Sequence, residues 1–171
     1  MPTLILMRHA KAVRRPGLED HARPLTERGR EDAALVAHAL RDAHLAPDLI
    51  LASDSQRTRE TLAIVSPVFR PRPKERLDHG LYLASDRDIL RIIQLAAPCE
   101  RLMVIGHNPG LAELAVALTG RGRPELVERL LESFPTSAAA VFSFEAPLSE
   151  ARERDGRLAY FITAKALRPP L

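Results

Sequence analysis

At 171 residues, 46% hydrophobic and 27% charged, the chain suits one soluble domain over 1–171, and 4% aromatics with no Trp leave its core to Leu, Ile, Val and Ala. A net charge of +3 comes from 25 basic against 22 acidic residues; three of the basic residues are lysine and the other 22 arginine, scattered with no basic run beyond Arg14-Arg15, which speaks against nucleic-acid binding. A lone cysteine, Cys99, excludes an intrachain disulfide, no stretch nears the ~20 apolar residues of a membrane span, and the first apolar run stops too early for a signal peptide, so the expected location is the cytoplasm.

The run Leu4-Ile5-Leu6-Met7 reads as a buried strand that ends abruptly at Arg8-His9. Residues 10–25 mix charge, Pro and Gly without periodicity and form a long loop. Thr26 is placed to cap a helix whose body, Asp32 to Leu45, carries Leu35, Val36, Ala39 and Leu40 on one face. Pro47 stops it, and Asp48 to Ala52 is a second strand. After the Ser53-Asp54-Ser55 turn a helix is predicted over Gln56 to Val65, then a short strand over Arg72 to Leu77. A third helix, Asp86 to Ala97, with Ile89, Leu90, Ile93 and Leu95 near its buried side, leads to the wholly apolar strand Leu102 to Ile105. Asn108 and Pro109 suit the start of a helix reaching Leu118, and Gly120 ends it. Pro124 to Glu132 is a further helix, and Ala138 to Phe144 and Leu158 to Thr163 are two late strands. This alternation predicts an α/β fold: a single three-layer α/β/α domain around a mainly parallel sheet.

Two strands end in histidine, at Arg8-His9 and at Gly106-His107, and a third ends at a turn with Arg57 just beyond it. In a parallel sheet these ends share one edge, the edge at which ligands bind. Two guanidiniums and a helix N-terminus favour a phosphoryl group. There is no Walker A loop and no carboxylate cluster for magnesium, so no metal and no cofactor is expected. A neutral imidazole can attack phosphorus and form a covalent phosphohistidine, with Arg8, Arg57 and the second histidine stabilising the charge on the oxygens.

Four segments in order, Met7-Arg8-His9-Ala10, Arg23-Pro24-Leu25-Thr26-Glu27-Arg28-Gly29, Pro47 to Ser53 with Arg57, and Ile105 to Gly110, resemble branch 1 of the histidine phosphatase (phosphoglycerate mutase-like) superfamily. The short chain, Arg-Pro-Leu-Thr, Gly-His-Asn-Pro-Gly and the final Ala164-Lys165-Ala166-Leu167 are similar to the SixA-type phosphohistidine phosphatases. The resemblance implies a phosphoglycerate mutase-like fold, His9 as nucleophile, Arg8 and Arg57 as clamps on the phosphoryl oxygens, and His107 as the second pocket histidine. It departs from the pattern at Ala10, where glycine is usual. The acid of the wider superfamily has no secure counterpart, Asp78 lying about where one would fall. A phosphohistidine substrate would need such an acid least, its N–P bond being labile. The expected partner is therefore a phosphorylated protein, such as a histidine-phosphotransfer domain, or else a small phosphorylated metabolite. The alternatives are a phosphatase of small phosphomonoesters and a non-catalytic phosphate-binding module; a mutase has little room for the insertion it usually needs. His21, His38 and His44 carry no motif, and His79 stands beside the candidate acid.

Overall fold

The computed structural model describes residues 1–96 and 98–170. Among them seven strands form one sheet in the order β3-β2-β4-β1-β6-β7-β5, with β1 (Thr3–Arg8) in the middle. Its parallel partner is β4 (Arg101–Gly106), which in turn pairs with β2 (Leu49–Ala52), and β2 with β3 (Lys74–Leu77). On the other side β6 (Ala139–Ser143) runs antiparallel to β1, followed by β7 (Gly156–Ile162) and β5 (Thr119–Gly122). The sheet is thus mainly parallel, as predicted, with β6 as its one reversed strand among the described residues.

Alternation along β1 divides the core in two. Leu4 and Leu6 face a cluster completed by Ile89 and Ile93 of α3 (Asp86–Ala96), Leu111 and Leu114 of α4 (Gly110–Leu118) and Leu126 and Leu130 of α5 (Pro124–Glu132). Ile5 and Met7 face the opposite cluster, with Val36 and Leu40 of α1 (Glu27–Asp42), Leu62 and Val65 of α2 (Gln56–Val65) and Ala164 of the short α6 (Ala164–Leu167). A strand apolar on both faces is what a sheet covered on both sides requires. The three-layer α/β/α architecture follows.

Several predicted boundaries move. The helix α1 begins directly after Thr26, and its buried stripe is Ala33, Val36, Ala37 and Leu40, leaving Leu35 and Ala39 half-buried. Leu95 is 74% exposed rather than buried, because α3 presents Ile89 and Ile93 to the sheet. The predicted end of α3 at Ala97 lies outside the described residues. Gly120 lies in β5, not merely at a helix end; Thr-Gly-Arg-Gly shows no alternation, and the strand exists through its irregular pairing with β7.

The Arg-Pro-Leu-Thr-Glu-Arg-Gly segment closes the long loop. Leu25 is buried, and its backbone bridges Ala12. Thr26 Oγ1 accepts the Gly29 N–H at 2.9 Å, the cap expected of it, and the Thr26 N–H donates to Lys11 O. Gly29 is required by proximity: a Cβ there would lie 2.3 Å from Lys11 O. The loop is thereby pinned to the start of α1, the Val13 N–H donates to Pro24 O across its base, and Val13, Arg14, Asp20 and Arg23 lie around the same cavity as Arg8 and His9.

Candidate active site

Register sets the site. Arg8 pairs with Gly106 across β1 and β4, and Ala52 of β2 pairs with Ile105, so His9, His107 and Ser53 leave the sheet side by side. The His9 N–H donates to Gly106 O and the Ser53 N–H to Ile105 O, which extends the ladder one residue past each strand. The two imidazole rings lie 5.1 Å apart. His9 and His107 are both buried, and so is Arg57, which reaches the rings from the first turn of α2.

Hydrogen bonding fixes the tautomer of both rings. His9 Nδ1 lies 2.7 Å from the carbonyl of Ala10 and must donate to it, leaving Nε2 as a lone pair. Arg57 Nε–H donates to that Nε2 at 3.2 Å. Arg57 Nη2–H donates to His107 Nδ1 at 3.2 Å, so His107 carries its proton on Nε2 and donates it to Ser53 Oγ at 2.8 Å. Burial pushes the His9 imidazole down to about 3, helped by His107, Arg57 and Arg8 nearby. Burial likewise pushes His107 down to about 4, with the Arg57 charge next in effect. Both rings are neutral at pH 7, and His9 offers an unprotonated nitrogen to an electrophile.

These groups open into a cavity of about 730 Å³ whose lining includes Arg8, Lys11, Arg14, Arg23 and Arg57 against one carboxylate, Asp20. Two guanidinium donors there lack hydrogen-bond partners. Arg8 Nη1 donates to Phe134 O, while its buried Nε has none. Arg23 Nε lies 3.2 Å from Asp20 Oδ1 but off the hydrogen-bonding direction, so it too is unpartnered. Buried orphan donors are uncommon, and their convergence with Arg57 on a cationic cavity suits an oxyanion.

Asp20 is the feature the sequence did not reveal. Its Oδ2 accepts from Arg57 Nη2 at 3.1 Å and from the Tyr82 hydroxyl at 2.5 Å, and its backbone carbonyl accepts from Arg57 Nη1 at 2.7 Å. The Tyr82 hydrogen bond, then Arg57 and Arg23, hold this carboxyl below its ordinary value, so it stands as an anion over the guanidinium. Tyr82 packs edge-on against His107, ring centroids 5.4 Å apart. Asp20, Arg23 and Tyr82 lie in segments without periodicity, and the one signal available was Arg23 inside a motif otherwise devoted to closing the loop. Ser53 was visible as a turn residue but not as the acceptor that orients His107.

Arg8, His9, Arg57 and His107 are therefore brought together. Asp78 is not: just past the end of β3, which β2 and β4 separate from β1, its carboxylate accepts the Gly80 N–H at 2.8 Å and is absent from the cavity lining. Asn108 does not cap α4 either. Its Nδ2 donates to Phe134 O at 2.9 Å, the carbonyl Arg8 also uses, and so ties the β4–α4 turn to the segment before β6. Gly110 answers a close approach, since a Cβ would lie 1.9 Å from Ala84 O.

A family model described as the histidine phosphatase superfamily (branch 1) matches residues 4–79. An uncharacterized protein of Mycobacterium tuberculosis is 36% identical over 138 residues, 79% of this chain and 85% of the relative. Among solved structures, a candidate phosphohistidine phosphatase SixA from Agrobacterium tumefaciens is similar with a TM-score of 0.80 and 30% identity, covering 95% of this chain and 99% of that one. Its counterpart from Nakamurella multipartitia gives a TM-score of 0.82 at 27% identity, with 94% and 95% covered.

Proposed function

The chain belongs to branch 1 of the histidine phosphatase superfamily, with its phosphoglycerate mutase-like fold, and on that premise we propose that residues 1–171 act as one domain that hydrolyses phosphohistidine through a covalent intermediate on His9. The observation that carries the reading is the pairing of an unprotonated His9 Nε2 with a guanidinium 3.2 Å away inside a cationic cavity. Nε2 attacks the phosphorus, a new N–P bond forms, and the bond to the leaving nitrogen of the substrate breaks, that nitrogen taking a proton from solvent. Water then attacks the phosphorus, the bond to Nε2 breaks, and phosphate leaves with His9 neutral again. Arg57 and Arg8 neutralise the oxygens in both steps without a metal ion at the reacting atoms, and His107 lies beside them as a further polar partner.

The leaving group points to the substrate class. A phosphomonoester releases an alkoxide that needs a proton as the bond breaks, whereas an imidazole leaves readily. Asp20 lines the cavity but is ionised, with Tyr82 and Arg57 donating to it, and so is poorly suited to donate. The candidate SixA structure at 30% identity supports the same assignment. A phosphorylated protein, such as a histidine-phosphotransfer domain, is the partner this reading favours, with small phosphorylated metabolites second.

His9→Ala should abolish turnover and covalent labelling of the chain by radioactive phosphohistidine substrate. Full activity in that variant refutes the mechanism. Comparing phosphohistidine with a panel of phosphomonoesters tests the substrate: faster turnover of the esters would transfer the assignment to them.

A further inference from the structure

Beyond Tyr82, outside the cavity, three distant parts of the chain bring two imidazoles onto one carboxylate. Asp54 projects from the turn between β2 and α2. Its Oδ1 lies 3.0 Å from His21 Nε2, in the short helical turn of residues 20–22. Its Oδ2 lies 2.9 Å from His79 Nδ1, in the turn that follows β3. The ligand atoms of all three fall within 4.8 Å of one another, the one such group among the described residues. None of the three lines the cavity around His9.

We propose that His21, Asp54 and His79 form a binding site for a divalent transition-metal ion of the zinc type at the rim of the phosphoryl pocket. Two imidazole nitrogens with one carboxylate oxygen are a donor set that such ions prefer over magnesium or calcium, which seek oxygen alone. A tetrahedral ion holds its ligands at about 2.0–2.2 Å and hence about 3.4 Å from one another. The two imidazole–carboxylate separations, 3.0 and 2.9 Å, are already near that spacing. The remaining imidazole–imidazole gap can close on the side of His79, whose side chain is 75% exposed and free to turn, while Asp54 at the centre is only 23% exposed. Backbone anchoring fixes this central ligand further, since Arg59 Nε donates to Asp54 O at 2.7 Å. Three protein ligands leave the fourth position to water. The spacing 21, 54, 79 has no motif form, which is why only the fold exposes it.

The ion would also reach the pocket mechanically. His21 adjoins Asp20 in sequence and packs its ring against Tyr82 at 4.8 Å, and the turn bearing His79 runs directly into Tyr82. Metal binding therefore ties together the two turns that set Asp20 and Tyr82 over Arg57.

The test uses the full chain, stripped with a chelator and titrated calorimetrically with zinc chloride. One zinc per chain is expected. His79→Ala and Asp54→Ala should each weaken binding by more than about 100-fold, since losing even an outer partner of a metal ligand costs about 10- to 100-fold. Cobalt added in place of zinc should give the visible absorption of a four- or five-coordinate ion, absent in both variants. His79 is exposed, so its variant keeps the fold and isolates ligand loss. No saturable one-to-one binding by the unmodified chain, or binding undiminished in His79→Ala and Asp54→Ala, overturns the site and reduces the cluster to a hydrogen-bonded clasp.

Discussion

Asp20→Asn should tighten the binding of inorganic phosphate. The carboxylate stands 3.1 Å from Arg57 Nη2, on a guanidinium that is only 3% exposed, while Asp20 itself is 49% exposed. A fully buried pair at such a distance would attract by about 5 kcal/mol at an effective dielectric of 20, but half exposure of one partner brings the net pair to about 1 kcal/mol. A phosphoryl dianion arriving on Arg57 meets the same carboxylate at about 5 Å, and with mostly aqueous screening this repulsion is about 1–2 kcal/mol. Asparagine keeps the size, the backbone carbonyl that accepts from Arg57 Nη1, and an oxygen for the Tyr82 hydroxyl, and it removes only the charge. The inhibition constant for phosphate should therefore fall about 5- to 30-fold, with the difference shrinking as salt is raised. The assay is competitive inhibition of turnover by phosphate at low and high ionic strength. Unchanged or weaker inhibition would show that Asp20 organises the pocket rather than competing for it, and the electrostatic account of the site would fail.

Ser53→Ala removes the acceptor of the His107 Nε2–H; an orphaned buried donor costs about 1–3 kcal/mol, so turnover should fall about tenfold or more with KM little changed, and steady-state kinetics checks this. Stability should depend on pH through the two depressed histidines: the unfolded chain takes up their protons near pH 6.5, the folded one only near 3 and 4, so the stabilisation is complete above pH 6.5 and is lost as pH falls below it. Between pH 6.5 and 5 the loss should be about 3 kcal/mol, and about half of that in His107→Gln, as read from urea unfolding; Asp20, Asp54 and Glu75, held below the ordinary carboxylate range, exert their effect at lower pH than this window. Gly110→Ala forces the start of α4 away from Ala84 and should destabilise the chain by about 2–4 kcal/mol, whereas an unchanged denaturation midpoint would contradict that close approach.

The parts of the fold that could be read from sequence are those whose side chains pack in a regular rhythm. The run Leu4 to Met7, the helix Pro124–Glu132 and the strand Arg101–Gly106 each carry an apolar pattern strong enough to name their type and approximate limits, while the helix Gln56–Val65 is delimited by the Ser53-Asp54-Ser55 turn before it and Pro67 after it. Thr119–Gly122 carries none, because two glycines and an arginine bury little; its pairing partner alone makes it a strand. At the site, His9 and His107 could be placed because each directly follows a buried strand, and Arg57 because a turn and a helix start precede it. Asp20, Tyr82 and Ser53 depend on how loops lie over those strand ends, and loop paths follow from tertiary contacts such as the Thr26–Lys11 clasp, which leave no periodic mark.

Arg57 explains why these loop residues matter. A guanidinium in the first turn of a helix faces the positive end of the dipole and, once buried, has lost its water. It is tolerable only with its donors satisfied, and His9 Nε2, His107 Nδ1, the Asp20 carboxylate and the Asp20 carbonyl satisfy them. The same cation therefore holds the lone pair of the proposed nucleophile and the one carboxylate of the cavity. Binding a phosphoryl group is then an exchange rather than an addition. Its oxygens take over the donors that His9 and Asp20 release, the freed Nε2 lone pair faces phosphorus, and the charge on Arg57 is never left unpaired. A lone phosphate-binding arginine on the surface would need no such resting partners, and it would leave the imidazole beside it free to bind any proton or cation that solvent supplied.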